Sequence, residues 1–459
     1  MEKSKETMPS FWDFDPTKMK KLLIITSSGG GGLLQAANAK EQEARAKNPQ
    51  ISIVRKDLLK DWMGERFGNF CTRRWNEAQI QGDVEALRFL IASQQFFDYF
   101  SWPHLFLCTL YTLFKEKVDH VIDTQPIGTS AILKALRIYN AIKKKRVYLQ
   151  KVLVDLPTKA ATHFFKPIKR LTKKDRPYLK LTTIAPLLEE GQTVDAFWQT
   201  MCRLTKHEIH YEDLNVRKSF RKFQNVSRSE KETSLLFRFK GEEEFSLMQK
   251  CWKRGKLTGK RVGERELIFS LSPDVKLISI VLGSQPANEA TWNYVKEWIQ
   301  MAKEPNFCKT PCALFVFCAE HIPGQKTLLY KVADYIENLK EYPENFSVVP
   351  FSFQDDDVIA SLFHRSDITC TRSGGQTAME LMAVSTGEIW IHSESKKQGA
   401  QYLSLDELLE GIPGWEAANA LYLQKLRGAK VVTPEIFVPS ARKILQCGAE
   451  KETLSCEIA

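Results

Sequence analysis

The sequence predicts an α/β protein made of two Rossmann-like halves, and three observations carry that reading. Short apolar strands alternate with helix-forming stretches through residues 18–190. The same alternation returns through 273–445. In each block a strand runs into a glycine-rich turn and then a helix, first at Ser28-Gly29-Gly30-Gly31-Gly32 and again at Ser373-Gly374-Gly375. Strands separated by helices imply parallel sheets with right-handed crossovers.

The elements follow in order. Residues 21–26 hold the apolar run Leu-Leu-Ile-Ile of a buried parallel strand. Beyond the glycines, 33–47 has helix-forming composition, and Pro49 ends it. A second strand is expected over 51–54. Residues 87–114 read as a helix broken near Pro103, and Asp98, Pro103 and His104 interrupt it too much for a membrane span. Two more strands are expected at 120–123 and 147–155. Residues 191–272 have weak periodicity and many basic residues, and read as a linker with an insertion. In the second block, strands at 275–282, 313–317, 347–351, 367–371 and 389–392 alternate with helices at 288–301, 327–340, 358–364 and 377–384. Asp355, Asp356 and Asp357 suit the positive end of the third of these helices. Residues 393–414 read as a further insertion.

Composition bounds the function. A chain of 459 residues with 43% hydrophobic and 26% charged residues is globular, with length enough for two or three domains. A net charge of +11 favours an anionic partner: a phosphorylated substrate, an acidic membrane face or nucleic acid. No nucleic-acid signature of basic residues interleaved with aromatics is present, so nucleic acid is not expected. The ten cysteines are scattered. Cys308 and Cys312 form the closest pair, with no second pair at metal spacing, so reduced thiols and no metal are expected. No apolar run follows Glu2, Lys3, Lys5 and Glu6, and the expected location is cytoplasmic.

The stretch around Ser373-Gly374-Gly375-Gln376-Thr377 is the most informative. Small residues let backbone N–H groups approach an anion, and the helix start adds positive potential. A diphosphate suits that place, with Arg372 a candidate for further charge. Glu380 sits one turn inside the helix, where a carboxylate accepts ribose hydroxyls. Thr377 and Glu380 also fit a capping box, which needs no ligand. The first glycine turn is not a dinucleotide fingerprint, because Leu34 stands where Gly29-x-Gly31-x-x-Gly would need its third glycine. Asp155 ends a strand, where open α/β sheets bind ligands, and His163 titrates near neutrality when unperturbed. As ordinary loop residues the two would instead cap a turn and face solvent.

These residues resemble a family. Arg372-Ser373-Gly374, Thr377 and Glu380 are similar in identity and spacing to the donor-site motif of the bacterial peptidoglycan N-acetylglucosaminyltransferase and the related monogalactosyldiacylglycerol synthases. Trp415-Glu416-Ala417-Ala418-Asn419-Ala420-Leu421-Tyr422-Leu423 resembles their next element, a Gln-rich turn leading into Asn-Ala-x-x-Leu. Trp415 and Glu416 replace the glutamines that reach the donor sugar. Asp155-Leu156 followed by Thr162-His163-Phe164-Phe165 resembles a strand-end segment of the lipid galactosyltransferases. Asp213-Leu214-Asn215-Val216-Arg217-Lys218-Ser219-Phe220 resembles the interdomain segment Gly-Leu-Pro-Val-Arg-Pro-Ser-Phe. The His that the family carries after its first glycines is absent; Gly32 and Leu33 stand there.

The resemblance implies a GT-B fold: an acceptor half at 18–190, a linker and insertion at 191–272, and a donor half at 273–445, facing across a cleft. It implies an inverting, metal-independent glycosyltransferase using a UDP-sugar and no cofactor. The acceptor would be a lipid, glycan or protein. Backbone N–H groups near Ser284 and Ser373-Gly374-Gly375 would hold the diphosphate, Gln376, Thr377, Trp415, Glu416 and Asn419 would complete the donor site, and Ser28 to Gly32 would face phosphate or acceptor. Asp155 and His163 are then the candidates for the base. The missing His motivates one alternative, a non-catalytic nucleotide-sugar-binding protein, and a nucleotide-sugar epimerase of the same architecture is another. The cluster Phe96, Phe97, Tyr99, Phe100, Trp102, Leu105, Phe106 and Leu107 is either a core helix or, with basic runs nearby, a peripheral membrane contact.

Overall fold

Two six-stranded sheets, parallel throughout, organise the chain in a computed structural model that describes residues 19–29, 31–304, 307, 310–396 and 404–446. The first half runs β1 (Lys21–Thr26), α1 (Gly31–Lys47), β2 (Ser52–Asp57), α2 (Glu65–Gln81), α3 (Val84–Glu116), β3 (His120–Asp123), α4 (Thr129–Lys143), β4 (Leu149–Val152), α5 (Thr162–Lys169), β5 (Leu179–Thr183), α6 (Val194–Cys202) and β6 (Ile209–Tyr211). Its strand order is β2-β1-β3-β4-β5-β6. A short α7 (Lys218–Arg221) leads to β7 (Thr233–Arg238), α8 (Glu242–Trp252), β8 (Gly259–Arg261) and β9 (Glu266–Leu271).

The second half runs β10 (Lys276–Val281), α9 (Asn288–Ala302), β11 (Cys312–Phe317), α10 (Leu328–Asn338), β12 (Phe346–Phe351), α11 (Asp356–Arg365), β13 (Ile368–Thr371), α12 (Gly375–Val384), β14 (Glu388–His392), α13 (Leu405–Glu410), α14 (Gly414–Arg427), β15 (Lys430–Val432) and α15 (Val438–Gln446). Its order, β12-β11-β10-β13-β14-β15, is that of a dinucleotide-type doubly wound sheet. β11 and β12 are buried along their whole length, as strands covered on both faces must be. The order reverses between β1 and β3 and again between β10 and β13. Each reversal opens a crevice at the carboxyl ends of the strands, and both glycine turns lie there.

The two crevices face each other. A Cβ on Gly31 would meet Ser284 Oγ at 2.9 Å, and one on Gly32 would lie 3.7 Å from Gln376 Cβ. A Cβ on Gly375 would press on the Val154 carbonyl and come within 2.6 Å of Asp155 Oδ1. Two Rossmann-like halves closed on each other in this way are the GT-B fold.

Three features differ from the sequence expectations. α3 continues through Pro103 as one helix of 33 residues. The carbonyl that Pro103 leaves without a partner belongs to Tyr99, which is 78% exposed and free to bond water, while Leu105 and Leu113 hold the following turns in the core. α2 lies in a stretch assigned no element, between Gly64 at φ +97° and Gly82 at φ +67°. Residues 191–272 are not a single kind of segment. β6, reached through α6, completes the first sheet, and β7, β8 and β9 form an antiparallel sheet. Leu235, Phe237, Leu267 and Phe269 of that sheet bury against Phe315 and Phe351 of the second half.

Candidate active site

At the meeting of the strand ends lies a cleft of about 300 Å³. Gly29, Gly31, Gly32, Asp155 and His163 reach it from the first half, and Ser284, Arg372, Gly374, Gly375, Gln376, Thr377, Glu380, Trp415 and Glu416 from the second. Gly30 falls outside the described residues, as does Cys308 of the cysteine pair. Among the described residues no cluster of His, Cys, Asp or Glu has the makings of a metal site.

Ser373 and Asn419 work behind the cleft wall. The buried Ser373 hydroxyl donates to the Glu416 carbonyl at 2.7 Å. Asn419 Nδ2 donates to the Ser373 carbonyl at 2.9 Å and to Asp155 Oδ1 at 3.4 Å, while its Oδ1 accepts from the Leu156 amide at 3.2 Å. One amide thus ties the turn between β13 and α12 to the residues after β4 in the other half.

α12 begins with Gly374 as its N-cap, so Thr377 lies inside the helix and no capping box forms. As at any helix start, the first amides have no carbonyl within the helix, and here they lie at the cleft. Two carboxylates border this positive end. Asp155 comes from across the cleft. Glu416 comes from the first turn of α14 and is pushed up to about 7 by burial, with Arg372 working against the shift and Asp155 adding to it.

The arginines are committed. Arg372 donates to the Gln79 carbonyl at 2.9 Å and to Glu394 Oε1 at 3.0 Å. Burial opposes the charge on Glu394, but His392 and Arg372 outweigh it and hold the carboxyl at about 2. Arg217, from the interdomain segment, grips Glu380 with two bonds, Nε to Oε1 at 2.7 Å and a terminal nitrogen to Oε2 at 2.8 Å, and also bonds Asp356. Gln376 Nε2 donates to the same Oε1 at 3.0 Å. That fills both lone-pair positions of Oε1 and leaves one on Oε2, so Glu380 can accept one further hydrogen bond while Arg217 stays in place.

His163 Nε2 lies 2.9 Å from Asp155 Oδ2. The ring packs edge-on to Trp415 at 5.8 Å. At the first turn, Asp57 Oδ2 accepts from the Ser28 amide at 2.8 Å, and Ser27 Oγ accepts from the Gly29 amide at 3.0 Å.

Several cleft residues escaped the sequence reading. Arg217 stood in a noted segment without a role. Trp75 and Gln79 of α2, and Ile91 and Gln94 of α3, also line the cleft. Their signal was the i, i+4 and i, i+3 spacing that puts each pair on one helix face.

No protein-family model matches the chain, and no curated protein matches it. Similar solved structures include MurG from Acinetobacter baumannii, at 12% identity and a TM-score of 0.41, covering 93% of this chain and 92% of that one. A structure of apo OtsA has 13% identity and a TM-score of 0.41, covering 95% and 92%. The UDP-GlcNAc 2-epimerase of Methanocaldococcus jannaschii, in complex with UDP-GlcNAc and UDP, has 10% identity and a TM-score of 0.40, covering 93% of each chain.

Proposed function

We propose that the protein is an inverting glycosyltransferase that moves a sugar from a UDP-sugar to an acceptor held by the first half. One observation carries the reading: a His–Asp pair on one wall of the cleft faces the start of α12 on the other. With Asp155 accepting the Nε2 proton, the imidazole keeps a lone pair on Nδ1 and can act as base. The acceptor oxygen attacks the anomeric carbon and its proton passes to His163. The bond from that carbon to the phosphate oxygen breaks, and the leaving diphosphate's charge meets the α12 amides. Gly374, Gly375 and Ser284 line its place, and Glu380 takes one ribose hydroxyl. His163 thereby fills the role of the His missing after the first glycines. In the test, calorimetry follows UDP binding while turnover is measured with a panel of UDP-sugars. His163→Ala should lower turnover by about 10²–10⁴-fold with UDP affinity kept. Full turnover in His163→Ala removes the base, and absence of UDP binding in the unaltered protein removes the whole reading.

A second reading, epimerisation of a nucleotide-sugar, is favoured by Glu416, which provides an acid near neutrality opposite Asp155. Deuterium entering the sugar from heavy water without transfer would select it.

We further propose that the protein works at an anionic membrane face. No helix among the described residues is long and apolar enough to cross a membrane. Yet on α3 Phe89, Phe96, Phe100, Leu107 and Tyr111 are 61–72% exposed. At 100° per residue they fall within about 60° of one another. Leu105 is instead buried, and Phe97, Trp102 and Phe106 pack on the core, so the aromatic cluster divides between two faces. Arg66, Arg73 and Arg74 are exposed on the neighbouring α2, and Arg170 reaches α3 from the other side through Gln95. Apolar rings flanked by cations suit acidic headgroups. The protein should sediment with anionic vesicles at low salt and be released by Phe96→Ser/Phe100→Ser; equal sedimentation with neutral vesicles, or none, refutes the contact.

A further inference from the structure

We infer that the acceptor entering the cleft is a neutral, polyhydroxylated group, a sugar ring or comparable polyol, held by Trp75, Gln79 and Gln94. The inference rests on the transferase reading and names its acceptor class. Three side-chain atoms on this wall are buried with no hydrogen-bond partner: Trp75 Nε1, Gln79 Oε1 and Gln94 Oε1. Unpaired buried atoms also occur away from the cleft, at Thr183 and Tyr342 for instance, but three gathered on one cleft wall offer a ligand polar contacts to complete. The set is one donor and two acceptors. A hydroxyl answers both kinds, because it donates one hydrogen bond and accepts others.

Charge decides against an acidic acceptor at this wall. The two arginines lining the cleft are already bound, Arg217 by Glu380 and Asp356 and Arg372 by Glu394. A carboxylate or phosphate on the acceptor would instead meet Asp155 and Glu416. The apolar part of the wall fits the same class. The rings of Trp75 and Trp415 lie 6.3 Å apart at 34°, with His163 against Trp415 and Ile91 beside them. Aromatic faces beside neutral hydrogen-bonding groups suit a pyranose, which has C–H faces and a hydroxyl rim. His163 lines the same cleft with its ring against Trp415, so on the transferase reading a hydroxyl of the bound ring is the nucleophile.

The test uses the full-length protein, methyl β-glucoside and methyl β-galactoside as neutral probes, and glucose 6-phosphate and glucuronate as acidic ones. Binding is followed by saturation-transfer NMR and calorimetry, with and without UDP. A neutral glycoside should bind, with Gln94→Leu and Trp75→Phe each weakening it at least fivefold and leaving UDP affinity within twofold. The melting temperature of Gln94→Leu should not fall, because the change removes a buried orphan rather than a made bond; a purely structural amide would lower it. Stronger binding of either acidic probe, unchanged glycoside binding in both variants, or no glycoside binding at all overturns the inference. Since UDP binding is read separately, its absence in the unaltered protein defeats the transferase reading and not the acceptor site.

Discussion

The turn between β1 and α1 and the turn between β13 and α12 share one plan, a parallel strand running into glycines and a helix start, yet they are balanced differently. At the first turn the negative charge comes from the same sheet: Asp57, at the end of β2, bonds the Ser28 amide and caps Leu59 and Lys60 as well. It stays there whatever the other half does. At the second turn the charge comes from Asp155 across the cleft and from Glu416 on α14. Asp155 leaves when the halves part. The charge balance of the second turn therefore depends on how the two halves meet, and that of the first does not. The helices are anchored unequally too. α12 is bound to the interdomain segment by the buried Arg217–Glu380 pair, whereas α1 meets α7 through exposed residues, the Lys218 amide donating to Gln42 Oε1 at 2.8 Å and Arg221 lying 3.9 Å from Glu43.

The largest expected effect tests that anchoring. Glu380→Ala strands the buried Arg217 guanidinium with Asp356 alone and should cost about 3–5 kcal/mol in chemical denaturation. Gln42→Ala should cost less than about 0.5 kcal/mol. Similar losses would erase the difference.

Next comes Glu416. Its folded pKa of about 7 lies above the ordinary 4.5, so the folded state holds the proton more tightly. The stabilising effect is complete below about pH 4.5 and is lost as pH rises through 7. Glu416→Gln should then be more stable than the native protein at pH 8, by up to about 3 kcal/mol, with no gain at pH 4.5. UDP affinity of the native protein should fall as pH passes 7, since an ionised Glu416 repels the diphosphate, and the variant should lose that slope. Parallel stability curves would place the proton elsewhere.

The glycines give the third comparison. Gly375→Ala forces a methyl against Val154 and Asp155 backbone and should lower turnover by about 10²-fold through wrong closure. Gly32→Ala finds its neighbours at 3.7 and 3.8 Å, ordinary contact distances, and should stay within about twofold. The last comparison is at the first turn: Asp57→Asn weakens its bond to the Ser28 amide, lowering stability by about 1 kcal/mol with UDP affinity unchanged. A shift in UDP affinity there would mean that the first turn also meets the donor.

The sequence made the strand-turn-helix units legible because each is local: an apolar run, glycines and a helix former within about fifteen residues. It also singled out those cleft residues that sit on these units, fewer than half of the lining. It could not pair Arg217 with Glu380, which lie 163 positions apart. Nor could it divide the aromatic stretch of α3, where Leu105 and Leu107 look alike as letters but point to core and solvent. α2 stayed hidden because its apolar stripe, Phe67, Cys71, Trp75 and Ala78, is narrow and set among polar residues; only Gly68 and Ala78 of the helix are buried. β7 and β9 do alternate buried and exposed positions, but over six residues each, too short to stand out among the surrounding charges.

Helix α3 has a consequence of scale. Its cleft face carries Ile91 and Gln94, and its opposite face the exposed rings from Phe89 to Tyr111. The thickness of one helix, about 10–12 Å, thus separates the cleft from any plane on which the rings rest. That thickness is a ruler. On the proposed reading, a hydroxyl lying flush with such a plane would fall short of His163, whereas one raised on a spacer of about that height would reach it, so the helix would select acceptors by stature before any side chain read their chemistry.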